Sequence, residues 1–475
     1  MSEQKRLHPA VILFDIWKVL KEFLFFIIPG FVILSGKVLV YYLLILLGCF
    51  IIIIIFITIS WYRYTYRIEK DELRIEQGIF VRNKRYISKH RIQSIDLTQS
   101  VLHRVLNVVK IEIQTAGGGK GAEALLQAVP KQEGERLRND LKHFSEPSIK
   151  SFEHERPSRP SEKISNKRLW IAGSTSGGFG AVLAVLAVVF SKLEQIIPVE
   201  IVNNIVEWIM RTSIVLMSGF ILILLFILWV LGVMGTVIKY GNFTITKDDD
   251  ELLITRGLLE KKQLTIPLRR IQAIGMKENL VRQPLGYVSV FAKVAGGSLE
   301  SGEDFSTVLF PIMKRSEVER FLQIFVPTHA EVEERPLLKL PKRARKYYLF
   351  RSMLPALAIM AGLLYAIPDY FGLSIVLVVC SIFFGSLQHQ DGGFCLHGER
   401  LTIRYRTFSK VTMRIHRKRI QAFEMKQHKL QRLDNLATIK VSIIGMLGSG
   451  NHYTIKELDD EEARSIAEWY SFQTE

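Results

Sequence analysis

The hydrophobic pattern divides the chain into three pairs of long apolar segments, each followed by a segment of short, alternating apolar and polar stretches. The paired apolar segments lie at residues 19–60, 169–238 and 348–387. A helix needs about 20 apolar residues to cross a bilayer, and it pairs its own interior backbone groups, which an open strand in hydrocarbon cannot do. The pattern therefore predicts three helical hairpins, with six transmembrane helices in all.

The segments that follow the hairpins have the pattern of small α+β modules. They occupy residues 66–144, 240–325 and 392–470, and each holds short strand-like stretches bounded by turn residues and ends in an amphipathic helix. This order predicts an antiparallel β sandwich or barrel capped by a C-terminal helix. Residues 1–18 are expected to form a cytoplasmic tail, and residues 145–168 and 326–347, which contain charge and proline, are expected to be linkers.

One short motif occurs once in each module. Arg-Ile-Gln begins at Arg91, Arg270 and Arg419. A leucine stands 18 residues before the motif's arginine in every copy, and a glycine follows that arginine at a constant distance of 26 residues; these are Leu73 and Gly117, Leu252 and Gly296, and Leu401 and Gly445. Constant spacing of this kind predicts one structural unit that the chain uses three times.

The charge distribution sets the expected orientation of the modules. The chain carries a formal net charge of +17, and nearly all of its lysine and arginine residues lie on the module side of the apolar pairs. Cytoplasmic segments of membrane proteins are enriched in these residues. We therefore expect a multi-pass protein of the cell (plasma) membrane, with the three modules and both termini in the cytoplasm and no nucleic acid as partner.

Basic residues recur around the motif. They are Lys89, Arg91 and Arg104 in the first module, Arg269, Arg270 and Arg282 in the second, and Arg417, Arg419 and Arg432 in the third. A lysine or arginine beside an anionic leaflet contributes about 1 kcal/mol of attraction, so one interpretation is a binding site for anionic lipids or a partner. The alternative is that these side chains are solvated or form ion pairs that fix strand register. The sequence leaves both open.

No pattern in the sequence predicts catalysis, a metal or a cofactor. The three cysteines show no Cys-x-x-Cys spacing, and the histidines occur without His-Glu-x-x-His. Residues 117–121 are rich in glycine, but their spacing is not that of a phosphate-binding loop, so a flexible hairpin loop is expected. The basic run at residues 339–346 directly precedes an apolar segment and is expected to be a positive-inside anchor.

These observations favour a membrane protein without enzymatic activity, whose modules bind proteins, the membrane surface or one another. The alternative is a subunit of an export or flipping machine in which the hairpins form the pathway. Such pathways normally contain ionisable residues or polar breaks near the middle of the membrane. Ionisable residues are nearly absent from the cores of the apolar segments here, and Arg351 lies at the end of one of them. The first interpretation is therefore preferred.

A family resemblance accompanies the repeat. The residues from Arg91 to Gly118 resemble the signature of the bacterial pleckstrin-homology-like domain found in multi-pass membrane proteins of the YdbS/YdbT type, and the layout of hairpins and modules is similar as well. The first copy matches the family at Arg91, Gln93, Gln99, Leu102, Arg104 and the terminal glycines. The second copy departs from the pattern at Glu278 and Gln283, and the third at Asp434, Gly445 and Met446.

The resemblance implies a fold, a partner and a role. The fold is a pair of nearly orthogonal antiparallel sheets capped by a C-terminal helix. The partner is a smaller YdbS-like membrane protein with one hairpin and one module. The implied role is envelope protection, in the response to stress and in tolerance of membrane-active antimicrobials. An assembly of several copies of the chain is left open.

Overall fold

A computed structural model shows the chain as two compact units, each described by itself. The first comprises Met1–Arg159 and Leu253–Thr265, and the second comprises Pro160–Leu252 and Ile266–Glu475. The structure describes residues 4–69, 71–115, 123–142, 159–177, 207, 214–295, 306–330, 336–366, 371–445 and 450–471. The predicted loop at residues 117–121, Gly296, Met446 and most of the first apolar segment of the second hairpin lie outside these ranges.

The helices and strands alternate between hairpins and modules. The helices are α1 (Ala10–Ile33), α2 (Gly36–Arg63), α3 (Val101–Val105), α4 (Lys131–Lys142), α5 (Asn166–Ser174), α6 (Ile214–Tyr240), α7 (Val318–Phe325), α8 (Arg345–Ala366), α9 (Phe371–Asp391), α10 (Lys429–Leu433) and α11 (Asp460–Ser471). The strands of the first module are β1 (Lys5–Arg6), β2 (Thr65–Glu69), β3 (Glu72–Gln77), β4 (Asn83–Ser88), β5 (Ile92–Gln99), β6 (Val108–Thr115) and β7 (Ala124–Pro130). Those of the second are β8 (Ser161–Lys163), β9 (Thr244–Asp248), β10 (Glu251–Arg256), β11 (Lys261–Pro267), β12 (Ile271–Glu278), β13 (Tyr287–Val294) and β14 (Ser306–Lys314). Those of the third are β15 (Leu338–Lys339), β16 (Gly393–His397), β17 (Arg400–Arg406), β18 (Lys410–His416), β19 (Ile420–Lys426), β20 (Leu436–Ile443) and β21 (Asn451–Asp459).

Three helices among the described residues are long and apolar enough to cross a membrane. They are Gly36–Arg63, Ser218–Tyr240 and Lys342–Tyr365. The sequence predicted six. Four charged side chains lie between residues 15 and 22 of α1, and the first apolar segment of the second hairpin lies largely outside the described residues. Helix α9, the second helix of the third hairpin, follows directly on residues that are not described.

The hairpin helices pack in pairs through small residues. Helix α1 packs on α2 at Gly30, where a Cβ would lie 2.3 Å from the ring of Tyr42, and the Tyr42 hydroxyl donates to the carbonyl oxygen of Phe26 at 3.0 Å. Helices α8 and α9 also pack closely, and the Ser352 hydroxyl donates to the carbonyl oxygen of Ser381 at 2.7 Å. Small residues let helix backbones approach closely, and such contacts drive helix association in lipid.

In the first unit, two antiparallel sheets enclose the core of the first module. One sheet has the order β1-β2-β3-β4, and the other contains β7-β6-β5. Their inner faces bury Leu73, Ile113 and Leu126. Helix α4 covers the second sheet at Gly134, where a Cβ would lie 2.5 Å from Val109 Cγ2. This arrangement of two sheets and a C-terminal helix fits the pleckstrin-homology-like fold.

The second unit holds most of the second module and the whole of the third. A continuous sheet in the order β14-β13-β12-β18-β17-β16-β15 contains strands of both, and a second sheet, β19-β20-β21, completes the third module. The second module has an aromatic core in which Phe243, Phe310, Phe321 and Phe325 contact one another in that order, with ring centroids 5.5, 5.7 and 4.7 Å apart. These four rings fasten α7 onto the sheet.

Each module begins before its hairpin, which the sequence pattern did not predict. The short strands β1, β8 and β15 pair antiparallel with β2, β9 and β16, the first strands after each hairpin. The expected tail and linkers therefore contribute a strand to each module. Because the chain enters and leaves each hairpin from the same sheet, the module is held directly against the ends of its own hairpin helices.

The Arg-Ile-Gln motif is a joint between the two sheets of a module. In each copy a 3-10 turn ends the first sheet, at Lys89–Arg91, Leu268–Arg270 and Arg417–Arg419. The first N–H of the turn donates to the carbonyl oxygen of Asp71 at 2.8 Å, of Asp250 at 2.7 Å and of Glu399 at 2.7 Å, respectively. The strand register then shifts at the motif's glutamine, as in a β-bulge. Backbone geometry thus explains why the motif recurs.

Neighbouring modules also join edge to edge. Strand β18 pairs with β12 over the six positions from Ala273↔Ile415 to Glu278↔Lys410, and β11 pairs with β5 from Gln99↔Lys261 to Leu97↔Gln263. Lys261 and Lys410 both stand nine residues before the motif's arginine, while Gln99 and Glu278 both stand eight residues after it. The two joints therefore have the same register.

Candidate membrane-surface site

A short turn with exposed aliphatic side chains follows the first strand of each second sheet. We call these the amphipathic turns: residues 101–106, 280–286 and 429–433. Their exposed aliphatic residues are Val101, Leu102, Val105 and Leu106 in the first, Leu280, Val281 and Leu285 in the second, and Leu430 and Leu433 in the third. Val105 is 78% exposed and Leu433 is 81% exposed. A repeated apolar surface of this kind indicates contact with a membrane or another protein.

The first amphipathic turn lies against the first helix of its own hairpin. The ring of His103 stacks on Phe14 of α1, with centroids 4.2 Å apart. His103 Nδ1 lies 2.6 Å from Ser100 Oγ, and its Nε2 lies 3.1 Å from the carbonyl oxygen of Gln127. Burial lowers the pKa of His103, so the ring is neutral at neutral pH and serves as a packing group.

In the second module, Arg282 joins the amphipathic turn to α5. Its Nε donates to Thr175 Oγ1 at 2.8 Å, and its Nη2 donates to the carbonyl oxygen of Ala172 at 3.2 Å. Asn279 Nδ2 adds a bond to the carbonyl oxygen of Thr175 at 2.6 Å. The last carbonyls of a helix lack partners within the helix, and these donors satisfy two of them. Burial lowers the pKa of Arg282 to about 10, which leaves it charged at neutral pH.

In the third module, the base of α8 holds the amphipathic turn. The Tyr347 hydroxyl donates to the carbonyl oxygen of Leu430 at 2.9 Å and lies 2.5 Å from Asp434 Oδ2. Lys346 Nζ lies 2.6 Å from the same carboxylate. The hydrogen bond from Lys346 is the main reason that the pKa of Asp434 is lowered, followed by the bond from Tyr347. The same arrangement thus recurs in all three modules with different side chains.

A second group of exposed apolar residues lies on the loop between the third and fourth strands of a module. In the first module, Phe80 is 89% exposed and its ring centroid lies 6.3 Å from that of Phe56 on α2. In the third, the Phe408 ring centroid lies 5.6 Å from that of Phe384 on α9. Phe56 and Phe384 each stand seven residues before the end of their helix, which corresponds to about 10 Å along the axis. These apolar loops therefore extend along the second helix of their own hairpin.

Comparison with known proteins identifies the repeated unit. The family model described as Bacterial PH domain matches residues 23–145, 183–325 and 353–474. The chain belongs to the bacterial PH domain family. It is also 34% identical over 494 residues to the UPF0699 transmembrane protein YdbT of Bacillus subtilis (strain 168), an alignment that covers 100% of this chain and 99% of that protein. A YdbT-like protein with three bacterial PH domains, which the resemblance predicted, is thereby confirmed.

The predicted basic residues of the three bacterial PH domains divide by location. Arg104 and Arg432 lie in amphipathic turns and are exposed. Arg104 Nη1 donates to the carbonyl oxygen of Leu258 at 2.9 Å, while Arg432 makes no side-chain bond in the described part of the chain. Arg91 and Arg269 are exposed on the 3-10 turns. These four arginines are available to a ligand.

The other predicted basic residues are partly or fully buried. Lys89, Arg270, Arg417 and Arg419 lie half-buried on the 3-10 turns, and Arg282 is 7% exposed. Arg419 Nη2 donates to the carbonyl oxygen of Arg269 at 2.7 Å, and Arg417 Nη2 donates to that of Tyr470 at 3.2 Å. Burial, together with Arg269, lowers the pKa of Arg270 to about 10. The hydrogen bonds of Arg282, Arg417 and Arg419 hold strands and helices in place.

The basic run at residues 339–346 also makes structural contacts. Arg343 pairs with Asp459 and donates to the carbonyl oxygen of Asn435 at 3.1 Å. Arg351 of α8, eight residues after Arg343, pairs with Glu457 at 2.5 Å. These bonds fasten the third bacterial PH domain to the base of its hairpin, in addition to any anchoring by charge.

One cleft in the second unit contains charged residues, but these residues pair with one another where two domains meet. Its volume is about 310 Å³, and its walls include Glu278, Arg315, Glu319 and Arg414. Glu278 lies 2.7 Å from Lys410 and 3.7 Å from Arg315, and Glu319 lies 2.5 Å from Arg414. These charges neutralise one another between the second and third bacterial PH domains. Among the described residues, no cluster of histidine, cysteine and acidic side chains could hold a metal.

The apolar part of this surface was not predicted from the sequence. The aliphatic residues beside the predicted arginines, such as Leu102 and Val105, stand in short apolar stretches that resemble core positions. The signal available was recurrence: at least two aliphatic residues stand between 10 and 15 residues after the motif's arginine in every copy. Arg282 also stands one position earlier than Arg104 and Arg432, in the place of His103 and Gln431.

Proposed function

We propose that this protein is a non-enzymatic scaffold of the cell membrane whose three bacterial PH domains lie in the cytoplasm and rest on the anionic inner leaflet. The observation that carries this proposal is the position of the apolar surface. In each domain the amphipathic turn contacts the first helix of its own hairpin, and in the first and third an apolar loop contacts the second helix. The surface therefore faces the place where the chain enters the bilayer.

The chemistry of this surface suits an anionic lipid surface. Exposed aliphatic side chains can enter the boundary between headgroups and acyl chains, while adjacent arginines meet lipid phosphates. Val105 stands next to Arg104, and Leu433 stands next to Arg432. Both arginines project from turns that are tied to a hairpin helix, so the membrane spans already bring them to the leaflet. Because these arginines are already held close to the lipid, their effective concentration at the leaflet is high and weak individual contacts are enough for binding.

In this proposal, the anchored domains form a platform for other membrane proteins. The smaller YdbS-like protein with one hairpin and one domain is the proposed partner, and protection of the envelope against membrane-active agents is the proposed role. Helix α2 supports the availability of a lateral surface, because none of its described side chains is buried within this chain. That surface can take either lipid or the helices of a partner.

A reporter on the third amphipathic turn tests contact with the lipid. The full chain, with its three cysteines replaced by serine, receives a polarity-sensitive fluorophore at Leu433→Cys and is reconstituted into bilayers with and without anionic lipid. We expect blue-shifted emission, quenched by lipid-borne quenchers, and more strongly so with anionic lipid. Arg432→Glu removes one attraction of about 1 kcal/mol and adds a repulsion, so it should reduce the effect of anionic lipid.

The matched control carries the fluorophore at Ser465→Cys, an exposed position on α11. Its emission should remain that of a water-exposed dye in both bilayers. The proposal is wrong if the label at position 433 also reports water in anionic bilayers, or if Arg432→Glu leaves its response to anionic lipid unchanged.

A further inference from the structure

We propose that two copies of this chain associate head to tail, with β4 of one copy pairing to β19 of the other. Inside the chain, the fourth strand of a later module twice pairs with the fifth strand of the module before it, as β18 with β12 and β11 with β5. In the described residues, β4 ends the sheet β1-β2-β3-β4 and β19 ends the sheet β19-β20-β21. Strand β4 is therefore a fourth strand that has no fifth strand beside it, and β19 is a fifth strand that has no fourth strand beside it, among the described residues.

The burial of these strands depends on whether they are joined. Residues 411–414 of β18 are all buried, whereas the corresponding residues 83–86 of β4 are all exposed. Ala273 and Gly275 of β12 pair with residues of β18 and are buried. Ala422 and Glu424, at the same positions of β19, are exposed. An open strand edge with unpaired backbone groups is a template for another strand. Here the chain itself shows which strand fits.

The internal register predicts which residues meet. The fifth residue after the motif's arginine lies opposite the sixth residue before the next copy's arginine, as in Gly275↔Met413. Applied to β19 and β4, this rule places Glu424 opposite Arg85 and Phe423 opposite Tyr86. Opposite charges and aromatic pairs stabilise directly opposed positions of antiparallel strands. The internal joint has its own pair of this kind, Glu278↔Lys410 at 2.7 Å.

A second copy fits these two edges because both belong to the same chain and their charges are complementary. Glu424 and Arg85 are exposed, and their present contacts, Glu424 with Lys426 and Arg85 with the carbonyl oxygen of Glu123, involve side chains or loops near their own edge. The interface uses two different surfaces, so it repeats from copy to copy and generates a ring or a row.

Site-directed cross-linking tests the pairing in membranes. Two versions of the full chain are co-expressed, each without its three native cysteines and each with a different tag. One carries Arg85→Cys and the other carries Glu424→Cys. Mild oxidation should give a disulfide-linked dimer that carries both tags. The matched control replaces Glu424→Cys by Lys440→Cys, which lies opposite Glu424 but one strand further inside the sheet, and should give no such dimer.

Charge reversal provides a second measurement at the same positions. Glu424→Arg places two cations opposite each other and should lower the amount of one tagged copy captured with the other by about fivefold to tenfold. Combining Glu424→Arg with Arg85→Glu restores opposite charges and should restore capture. A cross-link only to a different polypeptide, no cross-link at all, or an unchanged capture after charge reversal would each overturn the proposal.

Discussion

Arg282→Ala is expected to reduce the free energy of unfolding of the second unit by about 3 kcal/mol. The guanidinium is buried and donates to Thr175 Oγ1 at 2.8 Å, to Ser289 Oγ and to the carbonyl oxygen of Ala172 at 3.2 Å. Alanine leaves these buried oxygens without a donor and opens a cavity between the turn and α5. The loss is large because one side chain connects the hairpin to the sheet.

Denaturant unfolding of the full chain in detergent, followed by hydrogen exchange of the α5 and β13 amides, measures this effect. Arg432→Ala is the matched control, because Arg432 stands at an exposed position of the third amphipathic turn and should cost no more than about 0.5 kcal/mol. Equal costs for the two substitutions would show that Arg282 does not have the structural role assigned to it.

Glu278→Ala is also expected to reduce the free energy of unfolding of the second unit by about 3 kcal/mol, in this case for an electrostatic reason. Glu278 stands at the joint between β12 and β18, where its carboxylate lies 2.7 Å from Lys410 Nζ. The two side chains are only 9% and 12% exposed, so the pair is shielded from water. Removal of the carboxylate leaves a buried ammonium group without its counter-ion, and the β12 and β18 amides should exchange faster.

The double variant Glu278→Leu with Lys410→Met separates loss of charge pairing from loss of packing. Replacing both partners of a buried ion pair by apolar groups of similar size is often neutral, so this variant should unfold within about 1 kcal/mol of the parent. A double variant as unstable as Glu278→Ala would contradict an electrostatic origin, as would a Glu278→Ala protein with unchanged stability.

Most of the fold could be predicted from the repeat, because the conformations that the backbone adopts restrict which residues can stand at fixed positions. Its fixed spacing reflects a 3-10 turn and a β-bulge, and a positive φ recurs at Asn107, Gly286 and Asn435, whose carbonyl oxygens accept the N–H of Lys131, Arg315 and Asp460. Only glycine and asparagine adopt such a φ readily. These local constraints recur wherever the module recurs, so a period in the sequence was sufficient to predict it.

Pairing between distant parts of the chain could not be predicted in the same way. The strands β1, β8 and β15 are two or three residues long, too short for an alternating pattern. The joint between β12 and β18 links residues that are more than 130 positions apart. Two residues mark this joint: Glu278 looked only like a departure from the family pattern, and Gly275 looked like an ordinary strand residue. Nor does composition distinguish a buried arginine such as Arg282 from a surface one.

Sided labelling of single cysteines shows whether all three bacterial PH domains lie on the cytoplasmic side of one membrane. Arg136→Cys, Gln323→Cys and Ser465→Cys place one exposed thiol on the C-terminal helix of each domain in a chain without its native cysteines, and Lys37→Cys marks the far end of the first hairpin, in the first turn of α2. With a membrane-impermeant maleimide, we expect that only position 37 reacts in intact cells, and that the three domain positions react in inverted membrane vesicles. Reaction of any domain position in intact cells would contradict this expectation.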